Sequence, residues 1–337
     1  MRISPSTLSI SINSSLSADK ITPYKFTSAQ DIDHSYQIPK SSRYSITRLE
    51  PSNPDLIYYF TKPSNDNYPI AILCEGSSNP DNLNSVIHFH RYFLEEFLNL
   101  GSAVLTLEQW GIDGQDIRKE DFIDHYTRSQ RLSDHQVLIE HLKNDPPAGW
   151  NGQLILMGVS EGGPLVTSLT EEYSEITAAS MGFSGTGEFP WIEELWIFIE
   201  RLSVQNPTCP HSTQLSSCSA CMALMGSREQ YNTHMAMILK NPTANESFMG
   251  MSYKYHADAM TYKPCEPTKI KSPYLAVVGD QDPAIESFDS FTHKMEESGA
   301  PVTYFRIQGM DHYVRKRPDV IQRAFDWLSQ QLKNRNS

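Results

Sequence analysis

The chain has 337 residues, a formal net charge of -12 and charges of both signs scattered along its length. That is enough chain for one large domain with an insertion, or for two domains, and an acidic chain with no basic cluster argues against a nucleic acid partner. No apolar stretch approaches the roughly 20 residues that span a bilayer, the N-terminus lacks the apolar centre of a secretory signal, and five cysteines do not read as a disulfide framework; a cytoplasmic protein is expected.

In chain order, residues 1–35 read as a Ser-rich lead-in, with a short edge strand as the alternative. Strand and helix patterns then take turns. "DLIYYFTKP" and "YPIAILCEG" predict strands, "NSVIHFHRYFLEEFLNLG" a helix ending at Gly101, "SAVLTLEQ" a strand, and "RSQRLSDHQVLIEHLKN" a helix that stops before Pro146 and Pro147. "GQLILMGVS", "EGGPLVTSLTEEY" and "ITAASMGFSG" continue as strand, helix and strand. "SPYLAVVGD", "AIESFDSFTHKMEESG", "PVTYFRIQG" and "PDVIQRAFDWLSQQLKN" close the chain as strand, helix, strand and helix. Continuous aliphatic strands between helices predict an α/β protein with a mostly parallel sheet covered on both faces. The alternation breaks from Ser184 to Glu266, where the chain is helical, irregular and rich in Met, Trp, Tyr and Pro. The organisation expected is therefore a core of residues 36–183 and 267–337 with a helical cap inserted at 184–266, above the carboxyl ends of the strands, where open sheets bind ligands.

Gly158-Val159-Ser160-Glu161-Gly162 is a G-x-S-x-G run between a strand and a helix. Its glycines permit a turn sharp enough to expose the Ser160 hydroxyl as a nucleophile. Such a serine needs a histidine base oriented by a carboxylate. His312 follows a late strand, unlike the other histidines, which read as surface or satisfied core residues. Asp280 and Asp282 follow the strand before it. Asp282 is preferred because it lies beyond the Gly279 turn, which leaves Asp280 as a turn or capping residue; Asp311 adjoins His312, and neighbouring side chains on an extended loop point apart. Donors to a developing oxyanion would be the backbone amides of Glu161 and Ser77, with Ser78 as the alternative in the same loop opened by Gly76.

With "CEGSSNPDN", "LGSAVLTLEQWGIDG", "MGVSEGGPLV", "VVGDQDPAI" and "QGMDHYV" in this order, the chain resembles the α/β-hydrolase superfamily, closest to its esterase and acylaminopeptidase-like branch, from about Asp55 to the C-terminus outside the insertion. The resemblance implies an eight-stranded, mostly parallel sheet and hydrolysis of a carboxylic ester, thioester or amide without a cofactor. Two departures bear on the substrate: Glu75 stands before Gly76 where many relatives have His or Gly, and "EQWGIDG" replaces the usual D-x-R-G-x-G.

Within the insertion, "WIEELWIFIERL" places Trp191, Leu195, Phe198, Ile199 and Leu202 on one helical stripe, followed by six methionines that suit an adaptable apolar pocket or simply glue the insertion down. Gly76, Trp110, Trp196 and Met225 are the candidate substrate contacts. Cys209, His211, Cys218 and Cys221 have half of a zinc-site spacing, yet buried thiols account for them better and no metal is expected. The leading function is a serine hydrolase acting on a small ester, thioester or acylated molecule. A peptidase or amidase with the same triad, and a binding protein that kept the fold without its chemistry, are the alternatives.

Overall fold

Period-two alternation sorts the strand side chains between two cores. The computed structural model describes residues 25–26, 41–48, 53–78, 80, 83–205 and 227–335. Its central sheet comprises β1 (Lys25–Phe26), β2 (Ser41–Thr47), β3 (Leu56–Thr61), β4 (Tyr68–Cys74), β5 (Ala103–Leu107), β6 (Trp150–Val159), β7 (Thr177–Phe183), β8 (Tyr274–Gly279) and β9 (Val302–Ile307). Their spatial order is β1-β2-β3-β5-β4-β6-β7-β8-β9. Beyond the two-residue edge β1, eight strands make up the sheet. The pairs on the β1 side, up to β3 with β5, are antiparallel, and every pair from β5 to β9 is parallel. The mostly parallel sheet expected from the sequence is thus observed, while the parallel strands alone account for its aliphatic runs.

Helices α1 (Ile87–Asn99), α2 (Lys119–His125), α3 (Arg128–Asn144) and α4 (Gly162–Glu172) precede the break in alternation, and α5 (Trp191–Gln205), α6 (Arg228–Lys240) and α7 (Tyr253–Thr261) fall within it. Two more, α8 (Ile285–Glu297) and α9 (Pro318–Arg335), close the chain. Ile70 and Ile72 of β4 point to the core that holds Leu138 of α3, Leu169 of α4 and Phe288 of α8. Ala71 and Leu73 point the other way, to Phe93 of α1 and Phe325 of α9. Burial on both faces, rather than intrinsic propensity, fixes these elements. Local signals set their ends: the Thr127 hydroxyl accepts the Gln130 N–H at 3.1 Å to cap α3, and Pro318 opens α9.

Two elements differ from the sequence reading. β2 has no apolar run in "SSRYSIT" and is held by antiparallel pairing with β1 and β3 and by the buried side chain of Ile46, and α2 is a single short helix ending in the buried ring of Tyr126. Between β7 and β8, Leu195, Ile199, Tyr231, Met235, Ile238, Phe248, Tyr253 and Ala257 form a separate small core. Met225, Cys209, His211, Cys218 and Cys221 lie outside the described residues, so the zinc-like spacing and one substrate contact named above do too. Among the described residues no helix is long and apolar enough to cross a membrane.

Where β6 turns into α4, backbone meets backbone without room for a side chain. A Cβ on Gly162 would lie 2.0 Å from the Cys74 carbonyl oxygen, and one on Gly163 would lie 1.9 Å from that of Gly185. Neither obstacle is a flexible side chain that could swing aside. Gly163→Ala is therefore expected to destabilise the fold by about 3 kcal/mol or more, read as a lower urea midpoint; a wild-type midpoint would mean the two backbones are not in contact.

Candidate active site

β6 ends at Val159 and α4 begins at Gly162, so the chain reverses within two residues. Ser160 takes φ +52, the left-handed region that a residue with a Cβ adopts only when its surroundings enforce it. Its N–H donates to the Phe183 carbonyl at 2.7 Å and its carbonyl accepts from Gly163 N–H at 2.8 Å. The hydroxyl so presented lies 2.9 Å from His312 Nε2. On the far side of that ring Nδ1 is 3.0 Å from Asp282 Oδ1, an oxygen that also accepts the Ala284 N–H at 2.9 Å. Asp282, three residues past β8, is fully buried.

The other two carboxylates are engaged elsewhere. Asp280 accepts Gly309 N–H at 2.8 Å and so ties the β8 loop to the β9 loop, while Asp311 bonds Tyr313 N–H at 2.8 Å and Lys316 Nζ at 2.5 Å. The imidazole pKa of His312 is raised above its ordinary value: burial lowers it, but the Asp282 hydrogen bond and charge, with a contribution from Asp311, outweigh that. The bland reading of other histidines fits the geometry. His90 sits between Thr61 and Thr106 hydroxyls at 2.8 and 2.9 Å, and His256 lies between the Trp191 indole N–H at 3.0 Å and the Phe248 carbonyl at 2.7 Å.

Ser160 and His312 open on a cavity of about 460 Å³. Gly76 and Ser77 after β4 and Glu161 after β6 line it, and Trp191, Leu195 and Phe198 of α5 face it from the insertion. A Cβ on Gly76 would stand 3.9 Å from Ser160 Oγ and 3.3 Å from the Val159 carbonyl, which is why this loop approaches the serine so closely. Phe198 meets the His312 ring edge to face at 6.2 Å. Two of the proposed substrate contacts are not part of the cavity. Trp110 is buried beneath Arg48 and stacked on His125 at 4.2 Å, because its loop turns inward around the buried Glu108. Trp196 faces α6, its ring 5.1 Å from Tyr231 and covered by Arg228. One residue along a helix is a rotation of about 100°, enough to separate it from Leu195. Met249 and Met251 line the cavity in their place.

No family model and no curated protein matches the chain. Solved structures do. A thermostable carboxyl esterase from Bacillus coagulans is similar with a TM-score of 0.58 at 13% identity, over 88% of this chain and 99% of that one. A lipase in an open form gives 0.58 at 14% identity, over 87% and 98%. The acylaminoacyl peptidase of Pyrococcus horikoshii gives 0.50 at 12% identity, over 86% of this chain and 40% of the peptidase. The chain has the α/β-hydrolase fold.

The sequence names Glu161 only for its amide, and its side chain has a further part. The carboxylate is buried and accepts Arg128 Nε at 2.8 Å and Nη2 at 2.9 Å, with the Tyr255 hydroxyl as a third donor. Burial raises its pKa, but the Arg128 charge and these bonds bring it below the ordinary carboxylate value. The available signal was the S-E-G-G spacing itself: a glutamate at the base of a helix packed against a sheet is expected to need a cation. Two more carboxyls line the cavity, Glu75 and Glu194, each pushed up to about 7 chiefly by burial.

The imidazole titration tests the relay directly. NMR of the ring protons is expected to place the His312 pKa above 6.5, Asp282→Asn is expected to lower it by removing the two contributions that raise it, and Asp280→Asn is expected to leave it in place. A larger fall in Asp280→Asn would reassign the carboxylate.

Proposed function

We propose that the protein is a serine hydrolase that cleaves a carboxylic ester or thioester through an acyl-enzyme on Ser160, with His312 as base and Asp282 as its orienting carboxylate. The observation that carries this reading is the unbroken relay from the Ser160 hydroxyl through both nitrogens of His312 to a buried carboxylate, set at a strained turn facing a cavity. The fold's likeness to esterases and a lipase agrees with it.

In the first half-reaction Ser160 Oγ attacks the acyl carbonyl carbon as its proton passes to His312 Nε2. The oxyanion faces the backbone amides of Ser77 and Glu161. Collapse breaks the bond to the leaving group, which takes the proton from His312 and departs as alcohol or thiol. Water, deprotonated by His312, then attacks the acyl-enzyme and releases the acid. Asp282 keeps Nδ1 protonated, so that Nε2 is the free base, and stabilises the imidazolium. None of these steps calls on a cofactor. Residues 184–266 act as the cap: Leu195 and Phe198 stand over the serine, and the apolar wall they form selects the acyl group.

A fluorophosphonate is expected to label wild-type protein and leave Ser160→Ala unlabelled and inactive, with kcat down on the order of 10⁶. Full turnover in that variant would place the chemistry elsewhere, and a panel of acyl-peptides run beside p-nitrophenyl esters separates a peptidase from an esterase. Because the base works only when neutral and its pKa is raised, kcat/KM is expected to climb with pH through a value above 6.5 and then level off.

Leu195→Ala and Phe198→Ala are expected to shift the ratio of kcat/KM between long and short acyl chains by about tenfold, on the order of 1–3 kcal/mol for lost methylenes and ring. An unchanged ratio in both would remove the insertion from acyl selection.

A further inference from the structure

Two arginines stand one helical turn apart at the start of α3. Such i, i+3 positions share a helix face, and each guanidinium reaches a different side of the Ser160 turn. Arg128 is 2% exposed and grips the Glu161 carboxylate with two parallel N–H bonds. Arg131 is 7% exposed; its Nη2 donates to the Glu75 carbonyl at 2.5 Å and its Nη1 to the Tyr126 hydroxyl at 3.3 Å. That same hydroxyl oxygen accepts the Ser78 N–H at 3.1 Å. The loop Glu75-Gly76-Ser77-Ser78 is therefore held at both ends, by Arg131 at its first carbonyl and by Tyr126 at its last amide. Ser77, between these two anchors, and Glu161, beside Ser160, are the residues whose amides face the acyl oxygen in the proposed reaction.

We propose that Arg128 and Arg131 are positioning residues that set the separation of the two oxyanion donors, Arg128 through the Glu161 side chain and Arg131 through the Glu75 carbonyl and Tyr126. The inference rests on the reading of the protein as a serine hydrolase and extends it to the source of its oxyanion geometry. A rigid guanidinium fork fixes distance where a lysine ammonium on a flexible stem does not, and both arginines are buried. Donor placement matters more in the transition state than in the ground state, since the oxyanion exists only there. The insertion shares the joint, because Tyr255 of α7 bonds Glu161, and Trp191 lies 4.8 Å under the Arg128 guanidinium. The Ser129 N–H also donates to Asp258 of α7 at 2.9 Å.

The test measures four variants on one p-nitrophenyl ester: Arg131→Lys, Arg131→Met, Tyr126→Phe, and the double change Arg128→Met with Glu161→Gln, which strands neither charge. Rates are normalised to the fraction labelled exhaustively by fluorophosphonate, so loss of folded protein does not count. Arg131→Lys and Arg131→Met are expected to lose about 10- to 100-fold in kcat, a partial version of deleting a donor, with KM within about threefold. Tyr126→Phe is expected to lose less. Binding of a boronic acid, which forms a tetrahedral adduct on serine, is expected to weaken in proportion to kcat/KM, while the carboxylic acid product binds as in the wild type. Wild-type kcat per labelled site in the Arg131 variants and the double variant, or equal weakening of boronate and product, would reduce these residues to structural ones. Failure of the hydrolase reading itself gives a different result, wild-type protein that neither labels at Ser160 nor binds the boronate.

Discussion

A serine backbone held in the left-handed region is the constraint from which the remaining arrangement follows. Ser160 tolerates φ +52 only because the chain around it is packed backbone to backbone: Gly162 against Cys74, Gly163 against Gly185, and Gly185 against Ser160 itself, where a Cβ would fall 2.0 Å from the serine carbonyl oxygen. Such strain, typically about 1–3 kcal/mol, persists when the surroundings leave no alternative. Three different strands supply those surroundings, and none of β4, β6 or β7 can move without disturbing the serine.

Polarity is handled in two layers around that turn. On the cavity side, His312 and Asp282 hang from loops after β8 and β9, and Asp280 stitches those loops together so that base and carboxylate share one frame. On the α3 side of the same cavity Glu161 is paired with Arg128. Stranding either member of such a buried pair costs about 3–5 kcal/mol, so the charge beside the serine and the start of α3 are tied to each other.

Sequence alone carried the parallel core, since uninterrupted aliphatic strands leave few alternatives, and strand ends, a glycine-flanked serine and chain order are the local signals that single out Ser160, Asp282 and His312, which lie within hydrogen-bonding distance of one another in series. What it could not carry was rotational. Trp196 sits one residue from Leu195, and no periodicity reveals which of two adjacent faces meets the cavity and which meets α6. Trp110 misled for a related reason: its loop follows a strand end, as a cavity loop would, but Glu108 is buried and bonded to the Tyr59 hydroxyl and the Val86 amide, drawing the loop inward. The Glu161–Arg128 pair spans 33 residues, and long-range ion pairs leave no mark in a single sequence. β2 was missed because a marginal strand of serines and threonines is defined by its partner.

The chain leaves the sheet after β7 and re-enters at β8, yet these two strands are direct neighbours, paired in register from Ser180 with Tyr274 to Phe183 with Val277. Because the pair is parallel, the chain leaves at the carboxyl edge of the sheet and has to return to its amino edge before re-entering, so the connection is a crossover. A segment mounted in this way can vary in length, provided it is long enough to make that crossover, while the sheet keeps its register. Any replacement would have to meet the core where the present segment does: at Glu161, to which Tyr255 donates its hydroxyl, at the Arg128 guanidinium, which lies over Trp191, and at the Ser129 N–H, which Asp258 accepts.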